Sequence, residues 1–140
     1  MKNLYWKLPE TGRLVLDEEE LRALQPDEVL VRMEYCGICG SDMHFFMNGC
    51  IGTRKAPPDF ILGHEVSGTI VELGPGNEHT GLTIGQKVAG GFLMPCGQCD
   101  ACAAGRDELC GPFFDLIRLK GVLYDGTTRL ATPDGEPVAM

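Results

Sequence analysis

Apolar and polar positions alternate in short runs along this chain, and glycine or proline separates one run from the next. Four runs are predicted as β-strands, at residues 12–17, 28–35, 66–72 and 86–90. In the second run the alternation places Val29, Val31 and Met33 on one face. The pattern is typical of a domain built mainly from short strands.

Three other patterns predict local structure between or after these strands. A helix is expected to begin at Ser41 or Asp42, both preferred N-cap residues, and to end at Gly49. The acidic run at 17–24 could form one helical turn before Pro26. Residues 118–130 are predicted as a hairpin with Asp-Gly at its turn. Many short strands and few helices favour a Greek-key or partly open β-barrel.

Composition and charge narrow the possible functions. The chain has 140 residues, with 12 basic and 20 acidic side chains and a formal charge of −8. No basic stripe is present, which argues against nucleic acid or an anionic membrane as partner. No apolar run reaches the roughly 18 residues of a membrane span, and the first residues lack the apolar core of a signal peptide. Seven cysteines, an odd number, favour a reducing cytoplasm.

The most specific chemistry lies in a cysteine cluster near the end of the chain. Cys96, Cys99, Cys102 and Cys110 follow the pattern C-x2-C-x2-C-x7-C within a glycine- and alanine-rich stretch. Four thiolates on a tight loop can surround zinc at about 2.3 Å. Disulfides are disfavoured because cysteines two residues apart in such a loop are poorly placed to pair. An iron–sulfur cluster is the other metal interpretation, but its signature ends differently.

A second constellation combines Cys39 with His64 and Glu65, which follow Gly63. A thiolate, an imidazole and a carboxylate can hold a catalytic zinc if the fold brings the two segments together. Taken alone, His64 is more often a satisfied core histidine. Cys36 is expected to be a small buried residue, although Cys36 and Cys39 could also form a redox pair.

Three segments then give a family resemblance. They are CGICGSDMH at 36–44, ILGHEVSGTIVELGPG at 61–76 and CGQCDACAAGRDELC at 96–110. In order and approximate spacing they resemble the zinc-dependent medium-chain alcohol and polyol dehydrogenases. The resemblance implies a mainly β, GroES-like, partly open barrel over residues 1–140, with short helices and a zinc lobe at about 91–113. No Gly-x-Gly-x-x-Gly motif follows a predicted strand, so the Rossmann domain of the family is absent from this chain. The apolar end, EPVAM, predicts that the chain is truncated there.

The resemblance also implies site roles. Cys39, His64 and Glu65 match residues at the catalytic zinc, whose remaining ligand would lie beyond residue 140. Asp42 matches the carboxylate that orients the zinc-bound histidine. Ser41 matches the hydroxyl that passes on the alcohol proton, and His44 the outer end of that relay. The four cysteines of the lobe match a structural zinc site, which gives two zinc sites in all.

The implied activity is oxidation of an alcohol or polyol to a ketone or aldehyde through a zinc-bound alkoxide, with NAD or NADP held by a domain outside this chain. The 140-residue chain alone is expected to be inactive, and the full-length form to be a cytoplasmic homo-oligomer. The segment from His44 most resembles sorbitol, xylitol, idonate and butanediol dehydrogenases, so Phe45 and Phe46 could border the substrate pocket. Two alternatives remain, a free-standing, zinc-stabilised domain without catalysis and a thiol–disulfide exchange protein.

Overall fold

Antiparallel β-sheets form most of the regular secondary structure in the computed structural model, which describes residues 2–21, 23–26 and 28–126. The described strands are β1 (Lys2–Glu10), β2 (Arg13–Glu20), β3 (Val29–Gly37), β4 (Cys50–Ile51), β5 (Arg54–Lys55), β6 (Phe60–Ile61), β7 (Glu65–Leu73) and β8 (Lys87–Ala89). They make two three-stranded sheets, with the orders β2-β1-β6 and β3-β7-β8, and a β4-β5 ribbon. The sheets stay open rather than closing into a complete barrel. The predicted mainly β class is confirmed.

The first sheet begins with a long hairpin of β1 and β2. Trp6 lies opposite Leu16, and the acidic end of β2 lies opposite the first residues of β1. Lys2 forms an ion pair with Glu18, and Lys7 contacts Asp17 at 2.8 Å. The helical turn predicted at 17–24 is therefore wrong, because its acidic residues continue the strand and meet lysines across the hairpin.

The second sheet is centred on β7, which lies between β3 and β8. Ile70, in β7, is fully buried. The strands predicted at 28–35, 66–72 and 86–90 are confirmed by β3, β7 and β8. Val29 and Val31 are half-buried, whereas Met33 is 58% exposed. The apolar face predicted for β3 is therefore covered only in its first half.

Helix α1 (Gly40–Asn48) lies between β3 and β4. Its N-cap is Cys39, two or three residues before the predicted start at Ser41 or Asp42. Asp42 instead occupies the third helical position, from which its carboxylate accepts the Cys39 backbone N–H at 2.9 Å. The predicted end is confirmed, because Gly49 caps the helix in the left-handed conformation with φ of 68°.

A small apolar core joins α1 to the first sheet. Leu8, Phe45 and Phe60 are buried together, and the two rings meet edge to face with centroids 4.8 Å apart. Because Phe45 belongs to α1 and Phe60 to β6, this contact fixes the helix against the strand that precedes His64. The core thus positions both segments of the second predicted metal site.

The segment after the last clustered cysteine is helical. A π-helix, Phe113–Lys120, follows Pro112 and ends at Gly121. The hairpin predicted at 118–130 is wrong over 118–120, because burial of Phe113 holds the start of this helix against the protein. Residues 127–130 of that prediction lie outside the described residues. None of the helices in the described part of the chain has the length and apolarity needed to cross a membrane.

Gly68 provides a test of how closely β3 and β7 approach. A Cβ atom added at Gly68 would lie 2.3 Å from the backbone oxygen of Arg32. We expect Gly68→Ala to lower the free energy of unfolding by about 2 kcal/mol or more, because the neighbouring backbone has to move. Gly91→Ala is the control, since its nearest contact would be at 4.0 Å. Equal urea midpoints for the two variants would contradict this account.

Candidate metal centres

Cys39, His64 and Glu65 converge between α1 and β7. One potential ligand atom from each lies within 4.8 Å of the others. Cys39 is the N-cap of α1, and Glu65 is the first residue of β7. The structure therefore brings together the three residues that the sequence grouped, although they come from two separate segments. A thiolate, an imidazole and a carboxylate at this separation fit a zinc ion with a further coordination position.

The buried carboxylate of Asp42 connects the two segments. Its Oδ2 accepts the Cys39 N–H, and its Oδ1 accepts the Gly63 N–H at 3.2 Å. The same Oδ1 lies 3.4 Å from Nδ1 of His64. Asp42 is 9% exposed, so these contacts are largely shielded from water. With Nδ1 directed at the carboxylate, Nε2 of His64 is the nitrogen left to bind a metal.

Ser41 and His44 have different surroundings. The Ser41 hydroxyl lies 3.2 Å from Nε2 of His64, at the centre of the site. His44 is exposed, and its Nδ1 accepts from the Asn48 side chain at 3.5 Å. The two residues are three positions apart in α1, which places them about one helical turn apart on the same side. The structure thus brings Ser41 to His64, and it gives His44 a partner on the next turn.

Two glycines that the sequence reasoning did not select shape the site. A Cβ at Gly37 would lie 2.9 Å from Oε2 of Glu65. Gly63 has φ of +99°, and a Cβ there would lie 2.7 Å from the sulfur of Cys36. Cys36 is exposed, so the prediction that it is a small buried residue is wrong: it lies near the end of β3, beside the Gly63 turn, instead of entering the core. Both glycines could have been selected from the sequence, because Gly37 directly follows Cys36 and Gly63 directly precedes His64.

The second cluster contains Cys96, Cys99, Cys102 and Cys110, whose sulfurs all lie within 4.8 Å of one another. The Cys99 and Cys102 sulfurs are 3.5 Å apart, and those of Cys96 and Cys102 are 4.0 Å apart. Four sulfurs about 2.3 Å from one zinc would be about 3.8 Å apart at tetrahedral corners. All four thiols are free, and the sulfur separations exceed a disulfide bond by more than 1 Å. The geometry fits a four-thiolate zinc site.

Hydrogen bonding and burial shift the pKa values of two of these thiols in opposite directions. Burial and hydrogen bonding with the Cys99 thiol raise the pKa of Cys102 to about 12. Burial also acts to raise the pKa of Cys110, but N–H groups of Cys96 and Phe113 point at its sulfur and lower it to about 6. The Cys96 N–H lies 3.2 Å from that sulfur. The backbone of the lobe is therefore already arranged to stabilise negative charge on sulfur, as a metal–thiolate site requires.

Tyr124 lies beside the cysteine cluster, and the sequence reasoning did not select it. Its hydroxyl donates to the backbone oxygen of Met94, just before the first cysteine. Burial, followed by the nearby charge of Cys110, raises the pKa of Tyr124 to about 12. The chain after the helix Phe113–Lys120 thus folds back onto the lobe. No local sequence pattern indicated this contact. Residues 118–130 were instead predicted as a hairpin.

Comparison with known proteins identifies the family of the chain. The profile of the family described as "Alcohol dehydrogenase GroES-like domain" matches residues 25–132. The chain belongs to this family. The resemblance to zinc-dependent medium-chain dehydrogenases is thereby confirmed, and so is the GroES-like fold.

Relatives and solved structures extend the comparison. The chain is 36% identical over 110 residues to a probable D-xylulose reductase A of Neosartorya fischeri, covering 78% of this chain and 30% of that protein. It is 43% identical over 84 residues to sorbitol dehydrogenase of Bacillus subtilis, covering 60% of this chain and 23% of that protein. A structure from Burkholderia ambifaria described as an alcohol dehydrogenase zinc-binding domain protein matches with a TM-score of 0.75 at 29% identity, over 99% of this chain and 36% of its own. The GroES-like chain thus spans about a third or less of the length of these proteins.

Replacement of Asp42 tests its bridging role. Either orientation of the amide in Asp42→Asn would direct an NH2 group at a backbone N–H, that of Cys39 or that of Gly63. We expect the unpaired donors to lower the free energy of unfolding by about 1–3 kcal/mol. Asp115→Asn, at an exposed position in a first helical turn, is the matched control and should change little. Denaturant unfolding of both variants measures the difference, and an equal loss would contradict the bridge.

Proposed function

We propose that this chain is the metal-binding catalytic domain of an NAD(P)-dependent dehydrogenase that interconverts polyols or secondary alcohols with their carbonyl products. One observation carries the proposal: Cys39, His64 and Glu65 offer ligand atoms within 4.8 Å, and Asp42 holds the ring of His64. A domain that uses zinc only for stability does not require this second centre. The domain extends over residues 1–140, and its zinc lobe occupies about 91–113.

The two centres take different roles in this proposal. Cys96, Cys99, Cys102 and Cys110 hold a structural zinc, since four thiolates complete its coordination. Cys39, His64 and Glu65 hold the catalytic zinc and leave a coordination position for substrate. When bound, such a zinc lowers the pKa of an alcohol hydroxyl toward neutrality, which favours hydride release from the carbon that carries the hydroxyl.

The protein residues prepare this chemistry in a defined way. Asp42 fixes the tautomer of His64 by accepting from Nδ1, so that Nε2 presents its lone pair to the metal. The Ser41 hydroxyl, 3.2 Å from that nitrogen, is positioned to accept the proton lost by the substrate alcohol. His44, on the same side of α1 and exposed, delivers the proton to water. The relay therefore leads from the half-buried Ser41 hydroxyl to the exposed His44.

The substrate class and the hydride acceptor follow from the relatives. A D-xylulose reductase and a sorbitol dehydrogenase both carry the name of a polyol or its ketose partner. The reaction needs a nicotinamide held a few Å from the reacting carbon. No strand–glycine loop–helix unit that could hold a dinucleotide occurs in residues 2–21, 23–26 and 28–126. The nicotinamide therefore has to be held by another part of the protein, and either NAD or NADP fits this proposal.

Removing one thiolate tests the structural zinc. We expect purified wild-type protein to retain at least one tightly held zinc per chain and Cys102→Ser to lose it and unfold more easily, because structural zinc contributes directly to folding. Cys50→Ser, at a cysteine outside both clusters, is the control and should keep its zinc. Elemental analysis with thermal unfolding gives both readouts. A stable, zinc-free wild-type protein would contradict the assignment.

Replacement of single histidines tests the catalytic site in the complete enzyme. We expect His64→Ala to lower kcat/KM for sorbitol oxidation at least about 100-fold, because it removes a metal ligand. His44→Ala should cost less than about 100-fold, because water can partly replace the outer end of a relay. His79→Ala, at an exposed histidine in the short helix Asn77–His79, is the control. Formation of NADH or NADPH is the measurement, and full activity of His64→Ala would refute the proposal.

A further inference from the structure

The segment 91–95, which leads into the first cysteine of the lobe, has little structural support of its own. It contains no regular secondary structure, and Phe92, Leu93 and Met94 are exposed. In the part of the chain that the structure describes, one hydrogen bond reaches this segment, from the Tyr124 hydroxyl to the backbone oxygen of Met94. Tyr124 therefore anchors residues that neither burial nor a β-ladder holds.

Pro95 links the anchored Met94 carbonyl to Cys96. The proline ring fixes φ, and the peptide bonds on both sides of Pro95 are planar. Only one free backbone rotation, ψ of Pro95, therefore remains between the Met94 carbonyl and the Cys96 N–H. A hydrogen bond that holds this carbonyl thus also restricts the direction of the Cys96 N–H.

The Cys96 N–H is itself part of the four-cysteine centre. It donates to the sulfur of Cys110 at 3.2 Å and so joins the first cysteine of the cluster to the last. Cys110 is fully buried, so water is not at hand to replace this donor. An N–H group directed at a thiolate stabilises its negative charge and holds the sulfur in place.

Tyr124 is held in place from the other end of the cluster. The helix Phe113–Lys120 follows Cys110 closely, and the Phe114 N–H donates to the Cys110 carbonyl at 3.3 Å. Gly121 ends this helix in the left-handed conformation, with φ of 67°. Tyr124 comes three residues later. The chain that leaves the last cysteine therefore returns to the segment that enters the first.

We propose that Tyr124 is a positioning residue of the four-cysteine metal centre. Its hydroxyl holds the Met94 carbonyl, and through Pro95 this bond keeps the Cys96 N–H on the sulfur of Cys110. The bond preserves the ligand geometry and slows loss of the metal. This inference rests on the structural zinc of the proposed function, and it adds the residue that controls how firmly that zinc is held.

Tyr124→Phe in the complete enzyme tests the role, because it removes the hydroxyl and keeps the ring. We expect a chelator to remove the metal about tenfold faster than from wild type, since groups that orient metal ligands change affinity by roughly 10–100-fold. In the cobalt-substituted enzyme, the sulfur-to-cobalt absorption should also move to longer wavelength, because a thiolate without its N–H donor releases electron density more readily. Tyr35→Phe, at an exposed tyrosine of β3, is the matched control and should equal wild type in both measurements.

The cobalt absorption reports mainly this centre, which supplies four of the five proposed thiolate ligands. Pro95→Ala provides a second variant, because it frees φ in the link between Met94 and Cys96. We expect it to speed metal loss as well, and the double variant with Tyr124→Phe to add little to either single change. Fully additive effects would contradict a shared link.

The outcomes separate this inference from the proposed function. If Tyr124→Phe changes neither metal loss nor the cobalt absorption, the inference is overturned and the proposed function stands. Faster loss without a spectral shift would show general loosening of the lobe, and it would overturn the positioning role as well. If the wild-type enzyme oxidises sorbitol but the four cysteines bind no metal, the structural-zinc assignment fails, and the role of Tyr124 fails with it.

Discussion

The carboxylate of Asp42 is the interaction on which the candidate catalytic site depends. It accepts the N–H that precedes α1 and the N–H that precedes His64, and it also faces the ring of His64. One buried group therefore caps a helix, holds a loop and orients a metal-ligand candidate. These roles need the same charge and the same place, so they cannot be separated by substitution. A buried carboxylate with several donors is stable where an unpaired one would not be.

Close backbone approaches supply the second condition for the site. Gly37 leaves room for the side chain of Glu65, and Gly63 lets the chain turn beside the sulfur of Cys36. The ring contact of Phe45 with Phe60 holds the same segments from the core side. Packing thus fixes the distance between α1 and β7, while Asp42 fixes the direction of the groups between them. The site needs both, because a metal requires ligands at defined distances and angles.

Much of this organisation could be predicted from the sequence, since strand alternation and cysteine spacing are local signals. The four clustered cysteines, together with β3, β7 and β8, are of this kind. The helix start was misplaced by two or three residues because Cys39 is not a preferred cap, and the structure uses Asp42 from inside the helix instead. The hairpin prediction at 118–130 relied on an Asp-Gly turn and could not include the tertiary burial of Phe113.

The two candidate metal centres differ in how far apart along the chain their residues lie, and this difference has a consequence for the order of assembly. The cysteine lobe draws all of its sulfurs from residues 96–110, so only short loops have to close to bring them together. The other centre has to join Cys39 to His64 across a helix, a ribbon and a strand. Local contacts form faster than distant ones. The four sulfurs of the lobe can therefore come together before the two sheets have packed, whereas the candidate centre at Cys39, His64 and Glu65 forms only after the core has closed.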